Sequence, residues 1–147
     1  MLRSLPAVLV GALLVTASAC GKKDAPRPEP SFTGRWDYLS VTTFVYNSTG
    51  TVASQYTQTF PLQNGRHSVL AVTPTTLQYF LPDGTAFLTP TPYTRAGATL
   101  TADGFWTSNP SSTAITQLTD AELTIRHEYQ RSSGRLAEEE HYARRNP

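Results

Sequence analysis

Cysteine occurs once in these 147 residues, at Cys20, so no intrachain disulfide staples the fold. Lysine occurs only twice, at Lys22 and Lys23, and no apolar run reaches the roughly 20 residues that span a bilayer as a helix. Charge of one sign is missing as well. The whole chain carries +1, and without Arg3 the 12 Lys plus Arg fall to 11 against 11 Asp plus Glu. That balance supplies no electrostatic pull toward nucleic acid. There is no G-x-S-x-G elbow, no phosphate-cradling glycine loop and no H-E-x-x-H, since His127-Glu128-Tyr129 lacks the second histidine. The sequence is therefore read as non-enzymatic and free of cofactor.

What is present begins with the leader. Residues 1–19 carry one basic residue near the start (Arg3), an apolar stretch Leu5–Val15 and the small run Thr16-Ala17-Ser18-Ala19, the layout of a secretory signal. A cysteine directly after such a site resembles the lipobox of bacterial lipoproteins. In that family the cysteine is acylated, by chains such as palmitate, and becomes the new amino terminus. Ala17-Ser18-Ala19 also reads as an ordinary A-x-A cleavage site, which would leave Cys20 a free thiol. Residues 20–31 then form the lipidated cysteine and a Pro-rich linker. At about 3.1 Å per residue in extended geometry, the linker spans on the order of 30 Å. Gly21 rather than Asp after the cysteine favours, by analogy with lipoprotein sorting, the outer membrane of the cell envelope.

Residues 32–147 make one domain, too short for two. Twenty-two threonines and seven tyrosines suit a pleated, half-buried surface better than a helix. Turn signals recur at Thr49-Gly50, Asn64-Gly65, Asp83-Gly84, Gly97, Asp103-Gly104 and Gly134. Period-two alternation is clear over 51–60 and 122–130, and the spacing predicts strands at 34–46, 51–60, 67–72, 76–81, 85–88, 92–95, 98–101, 104–108, 113–118, 122–130 and 135–144. In the first of these Trp36, Tyr38 and Phe44 would share one side and Leu39, Val41 and Val45 the other. A strand apolar on both faces is either well covered or crosses between layers. The last strand should pair with 122–130 across Ser132-Ser133-Gly134. The fold class is all-β, an antiparallel sandwich or barrel.

Gly34-Arg35-Trp36 resembles the G-x-W signature of lipocalins. Phe80-Leu81-Pro82-Asp83-Gly84, the run Ala114–Ile125 and Tyr142-Ala143-Arg144 look like bacterial lipocalin-like lipoprotein domains. The resemblance covers about 32–146 and implies an up-and-down barrel of about 8–10 strands. It implies that Gly34 and Trp36 close one end, with Arg144 or Arg126 across the indole. It also implies a cup for one small apolar or amphipathic ligand, for which Tyr38, Tyr56, Phe60, Tyr79, Phe87, Trp106, Leu123, Ile125, His127 and Tyr129 are the candidate lining. The alternative is a ligand-free envelope module that docks a protein partner through 89–94 and 105–110.

One hairpin register sets His127 opposite Glu139 and Ile125 opposite His141, which would gather two imidazoles and a carboxylate. A one-residue slip sends His141 to the other face. Glu138-Glu139-Glu140 reads more naturally as a solvated edge. No metal site is expected.

Overall fold

The computed structural model describes residues 28–106 and 108–146, so Cys20 and the leader lie outside the described residues. Ten antiparallel strands and no helix are found among the described residues. They are β1 (Gly34–Tyr46), β2 (Val52–Thr59), β3 (Val69–Val72), β4 (Thr76–Phe80), β5 (Thr91–Pro92), β6 (Thr94–Ala96), β7 (Thr99–Thr101), β8 (Ser112–Leu118), β9 (Glu122–Arg131) and β10 (Gly134–Arg144).

Nine of them follow one path, β5-β4-β3-β1-β10-β9-β8-β7-β6, while β2 pairs with β1 outside it. The two ends of the path are separated by a single residue, Tyr93. One extended segment is thus paired to β4 at Thr91–Pro92 and to β7 at Thr94–Ala96. The result is a nearly closed up-and-down barrel, compatible with a lipocalin-like barrel, with the outer edge of β2 left unpaired among the described residues.

Local chemistry explains the turns. Asn64 (φ 53°) and Gly65 (φ 74°) both take the left-handed region, and Gln63 and Arg66 exchange hydrogen bonds of 2.9 and 3.0 Å across them. That is the two-residue hairpin which Asn-Gly favours.

A bulge reconciles β1 with its two-sided apolar pattern. Register against β10 shifts between Tyr38 and Ser40, leaving Leu39 as the extra residue. Before it, Trp36 and Tyr38 face the interior. After it, Val41 pairs beside Glu140 and Val45 beside Leu136 on that same face, while Thr42 and Phe44 turn outward beside Glu139 and Ala137. Phe44 is thus on the opposite face from Trp36 and Tyr38, because one inserted residue inverts the alternation beyond it.

Two expected strands do not form. Residues 85–88 touch β4 by one bridge, Phe80–Ala86, after a turn in which the Asp83 carboxylate accepts the Thr85 N–H at 2.8 Å. The segment 104–108 fails for a packing reason. A strand would send Phe105 and Trp106 to opposite faces, whereas both rings are buried, at 2% and 8% exposure. The turn at Asp103-Gly104 lets both enter the interior, and each large ring buried contributes roughly 1.5–3 kcal/mol. With these rings inside, 105–106 offers no exposed aromatic surface to a partner.

The core is Trp36, Leu70, Val72, Leu77, Leu100, Phe105, Ile115, Leu123, Ile125 and Tyr142. These side chains pack together inside the barrel.

Candidate functional site

The barrel has two different ends. At the first, the guanidinium of Arg144 lies 4.1 Å from the centre of the fully buried Trp36 ring. Its N–H groups donate to the carbonyls of Asp120 (2.8 Å), Thr33 (3.2 Å) and Ser31. The Trp36 indole donates to the Phe32 carbonyl at 2.9 Å. Gly34 is required here: its φ is +140°, and an added Cβ would sit 2.7 Å from Arg144 Nη1. This end is sealed, and the segment leading from residue 31 enters the domain at it.

Arg126 is elsewhere. It lies on the outer face, over Phe44 at 5.1 Å, bonded to Glu128 (2.8 Å), Glu139 (2.7 Å) and the Tyr46 hydroxyl (2.6 Å). Arg144 alone covers the indole, because the β9–β10 register leaves Arg126 beside Glu139 on the outer surface.

The second end is organised by β10. Because β10 runs between β1 and β9, Glu138-Glu139-Glu140 is not an edge. Alternation sends Glu139 outward to Arg126 and Glu140 inward with Tyr142. The register against β9 pairs Glu138 with His127 and Glu140 with Ile125, one residue away from the alignment that would have set His127 opposite Glu139. His127 therefore points inside. His141 turns out toward Thr42 (3.3 Å) and Thr124 (3.4 Å). The two imidazoles occupy opposite faces, and no metal-binding group of three or more His, Cys, Asp or Glu side chains exists among the described residues.

Inside, Glu140 Oε2 accepts the Tyr142 hydroxyl at 2.6 Å and the Tyr79 hydroxyl at 3.1 Å, and these two phenols also contact each other. His127 Nε2 lies 3.3 Å from the same oxygen, within ion-pair range but off the direction of a hydrogen bond. We read it as an electrostatic contact. The other imidazole nitrogen, Nδ1, pairs with the Thr113 hydroxyl at 3.0 Å. Tyr79 comes from β4, three strands away around the wall, so only closure of the barrel brings it to Glu140.

The charges follow from this packing. Burial pushes the Glu140 carboxyl up, but the adjoining His127 imidazole and the phenols of Tyr142 and Tyr79 outweigh it, and Glu140 is held below the usual carboxylate range. The phenols move the opposite way: burial first, then the Glu140 charge, raises Tyr38, Tyr79 and Tyr142 above the ordinary value of 10. Tyr129 is raised too, by burial and by Glu138. Glu140 is thus favoured in its ionised form and the phenols around it in their neutral form.

Above Glu140 a pocket of about 230 Å³ opens, lined by Tyr38, Ser68, Tyr79, Phe80, Leu81, Phe87 and Glu140. Of the candidate lining residues, Tyr38, Tyr79 and Phe87 reach it, Phe87 remaining 59% exposed. Phe60 backs it, stacked on Tyr38 at 4.6 Å. Trp106 packs on His127 at 4.9 Å, His127 is followed by Tyr129 at 6.4 Å, and Ile125 and Leu123 are fully buried core. Phe105 stacks under Tyr79 at 5.1 Å and fills the space beneath. Tyr56 does not join the lining. It stands on β2, outside the barrel path and 59% exposed.

Glu140 and Tyr142 were missed from the sequence as site residues. The signal for them was the parity of β10: every second residue from Tyr142 back to Glu138 shares its face. A second pocket of about 270 Å³ lies among Thr99–Asp103 and Asn109–Thr113, against Trp106, whose indole nitrogen is buried without a partner.

No protein-family model matches this chain, and no curated protein matches it. The geometry defines a small antiparallel barrel with one plugged end and one aromatic, acid-floored mouth.

Proposed function

We propose that this protein is an envelope lipoprotein, held to the bacterial outer membrane through an acylated Cys20, whose barrel binds one small apolar or amphipathic molecule at its mouth. The observation that carries the binding reading is the 230 Å³ pocket, with aromatic walls and a carboxylate on its floor. Pockets for drug-sized ligands start at about 300 Å³, so this one suits a head group or small molecule rather than a whole lipid. The anchoring reading rests on the leader and on the single cysteine that follows it. Two or more acyl chains on Cys20 would anchor stably where one would not. The tether enters beside Trp36 and Arg144, at the plugged end, so an anchored barrel would present its mouth away from the membrane.

Two measurements test this. The mass of the mature amino terminus from the native host should carry acyl chains on Cys20; an unmodified thiol there ends the lipoprotein reading. Native mass spectrometry of the same preparation should show a small-molecule adduct that Tyr79→Ala and Phe87→Ala release. An adduct-free barrel that also binds no small amphiphile at millimolar concentration ends the binding reading.

One observation favours a second reading, docking of a protein partner. β2 is exposed along its whole length and is paired only with β1, so it offers an uncharged strand to a protein that adds a strand of its own. Crosslinking in intact cells through residues placed on β2 would identify such a partner.

A further inference from the structure

We infer that the mouth pocket takes a small organic cation, its ammonium set against the Glu140 carboxylate and its apolar body against Tyr79, Leu81 and Phe87. This rests on the binding reading above and narrows it to one ligand chemistry.

The charge argument comes first. Glu140 is the one ionisable carboxylate in the lining, and no lysine or arginine stands among the lining residues. Its side chain is 15% exposed and stands in the pocket lining. The two phenol bonds and the His127 contact all fall on Oε2, and none of them uses Oε1. His127, at 1% exposure, meets the carboxylate from within the barrel and is not part of the lining. The nearest arginines are engaged on the outer side: Arg35 lies 5.0 Å over the Phe80 ring, and Arg145 is paired with Asp37 at 2.6 Å. Glu138, the other inward carboxylate of β10, lies beside Tyr129 and its charge also reaches Tyr38, but it is not among the lining residues.

The walls argue for the same ligand. Aromatic faces carry negative potential and attract a cation held within about 6 Å of them. Tyr38, Tyr79, Leu81, Phe87 and Ser68 surround Glu140 here, Phe87 being largely exposed, while the Phe80 ring lies under Arg35 on the outer face. A carboxylate set among largely apolar walls favours a positive head and an apolar body together. The same arrangement opposes a fatty acid, whose carboxylate would face Glu140 at close range in a low-dielectric site.

The test uses the full-length protein in detergent and three probes of one shape: phenethylamine, 2-phenylethanol and 3-phenylpropionate, followed by calorimetry. Phenethylamine should bind about tenfold or more tighter than the alcohol, the scale of one charge-assisted hydrogen bond, and the acid should bind weakest. Glu140→Gln should weaken the amine far more than the alcohol and close the gap between them. The ranking of the three probes on the unaltered protein needs no variant, so it stands even if Glu140→Gln folds poorly. Equal affinity for amine and alcohol overturns the cation assignment and leaves the pocket reading intact. Binding of none of the three overturns both.

Discussion

The two ends of this barrel use the same materials, aromatic rings and one charged side chain, to opposite effect. At the plugged end the charge is a cation. The Trp36 ring receives it on its face, and three backbone carbonyls take its N–H groups, so Arg144 needs no counter-ion. At the mouth the charge is an anion. A ring face offers nothing to a carboxylate, so Glu140 must draw on phenol hydroxyls and an imidazole, which crowd onto one oxygen. The sign of the charge decides which groups an aromatic enclosure can use to hold it.

The comparison breaks or sharpens through stability measurements. Trp36→Ala should have the largest effect, about 3–5 kcal/mol in urea unfolding, because it empties a fully buried site and leaves Arg144 over a void. A loss below about 1 kcal/mol would mean that this end is not the keystone of the closure.

Alkaline pH should act next, and on the mouth. Phenols whose folded pKa is raised stabilise the barrel fully below their unfolded value of about 10, and that stability is lost as pH climbs past it. Tyrosine ultraviolet absorbance followed together with circular dichroism should show Tyr38, Tyr79, Tyr129 and Tyr142 ionising only as the barrel unfolds. Ionisation of all seven tyrosines near pH 10 in a folded protein would contradict the packing described for the mouth.

Glu140→Gln should cost about 1–3 kcal/mol at neutral pH, since the phenols and His127 lose an anionic partner. It should also flatten the acid limb. A carboxylate held low in the folded state stabilises above its unfolded pKa, and that contribution fades as pH falls through the folded one. Arg144→Lys should cost less, about 1–2 kcal/mol, by replacing a planar fork over an indole with a point charge. Phe87→Ala should be smallest, within about 0.5 kcal/mol, because its ring is 59% exposed. If Phe87→Ala leaves stability unchanged yet weakens ligand binding, the mouth is built for contact rather than for support.

Much of the fold was legible because strand chemistry is local. Alternation over β9 and the Asn64-Gly65 turn each depend on neighbours within a few residues, and a period of two can be read along the chain. The losses came where distant parts meet. Phe44 was set on the wrong face because a bulge at Leu39 leaves no mark in the one-dimensional pattern. Residues 104–108 alternate well enough on paper, but two adjacent rings both found room inside, and a turn was the only backbone that could bury both. His127 and Glu139 were matched by a register that differs by one residue from the actual one, and in a sheet one residue is a change of face.

The sequence by itself determined a strand-forming composition, a single cysteine and so no intrachain disulfide, and turns where Asn-Gly and Asp-Gly stand. All of these follow from residue types acting on their immediate backbone. Only the tertiary structure decided that the middle of a three-glutamate run belongs to the surface and its last member to the interior. The reason is physical: facing in a sheet is set by register and by bulges, and Tyr79 meets Glu140 only once the wall has curved round to bring β4 across from β10.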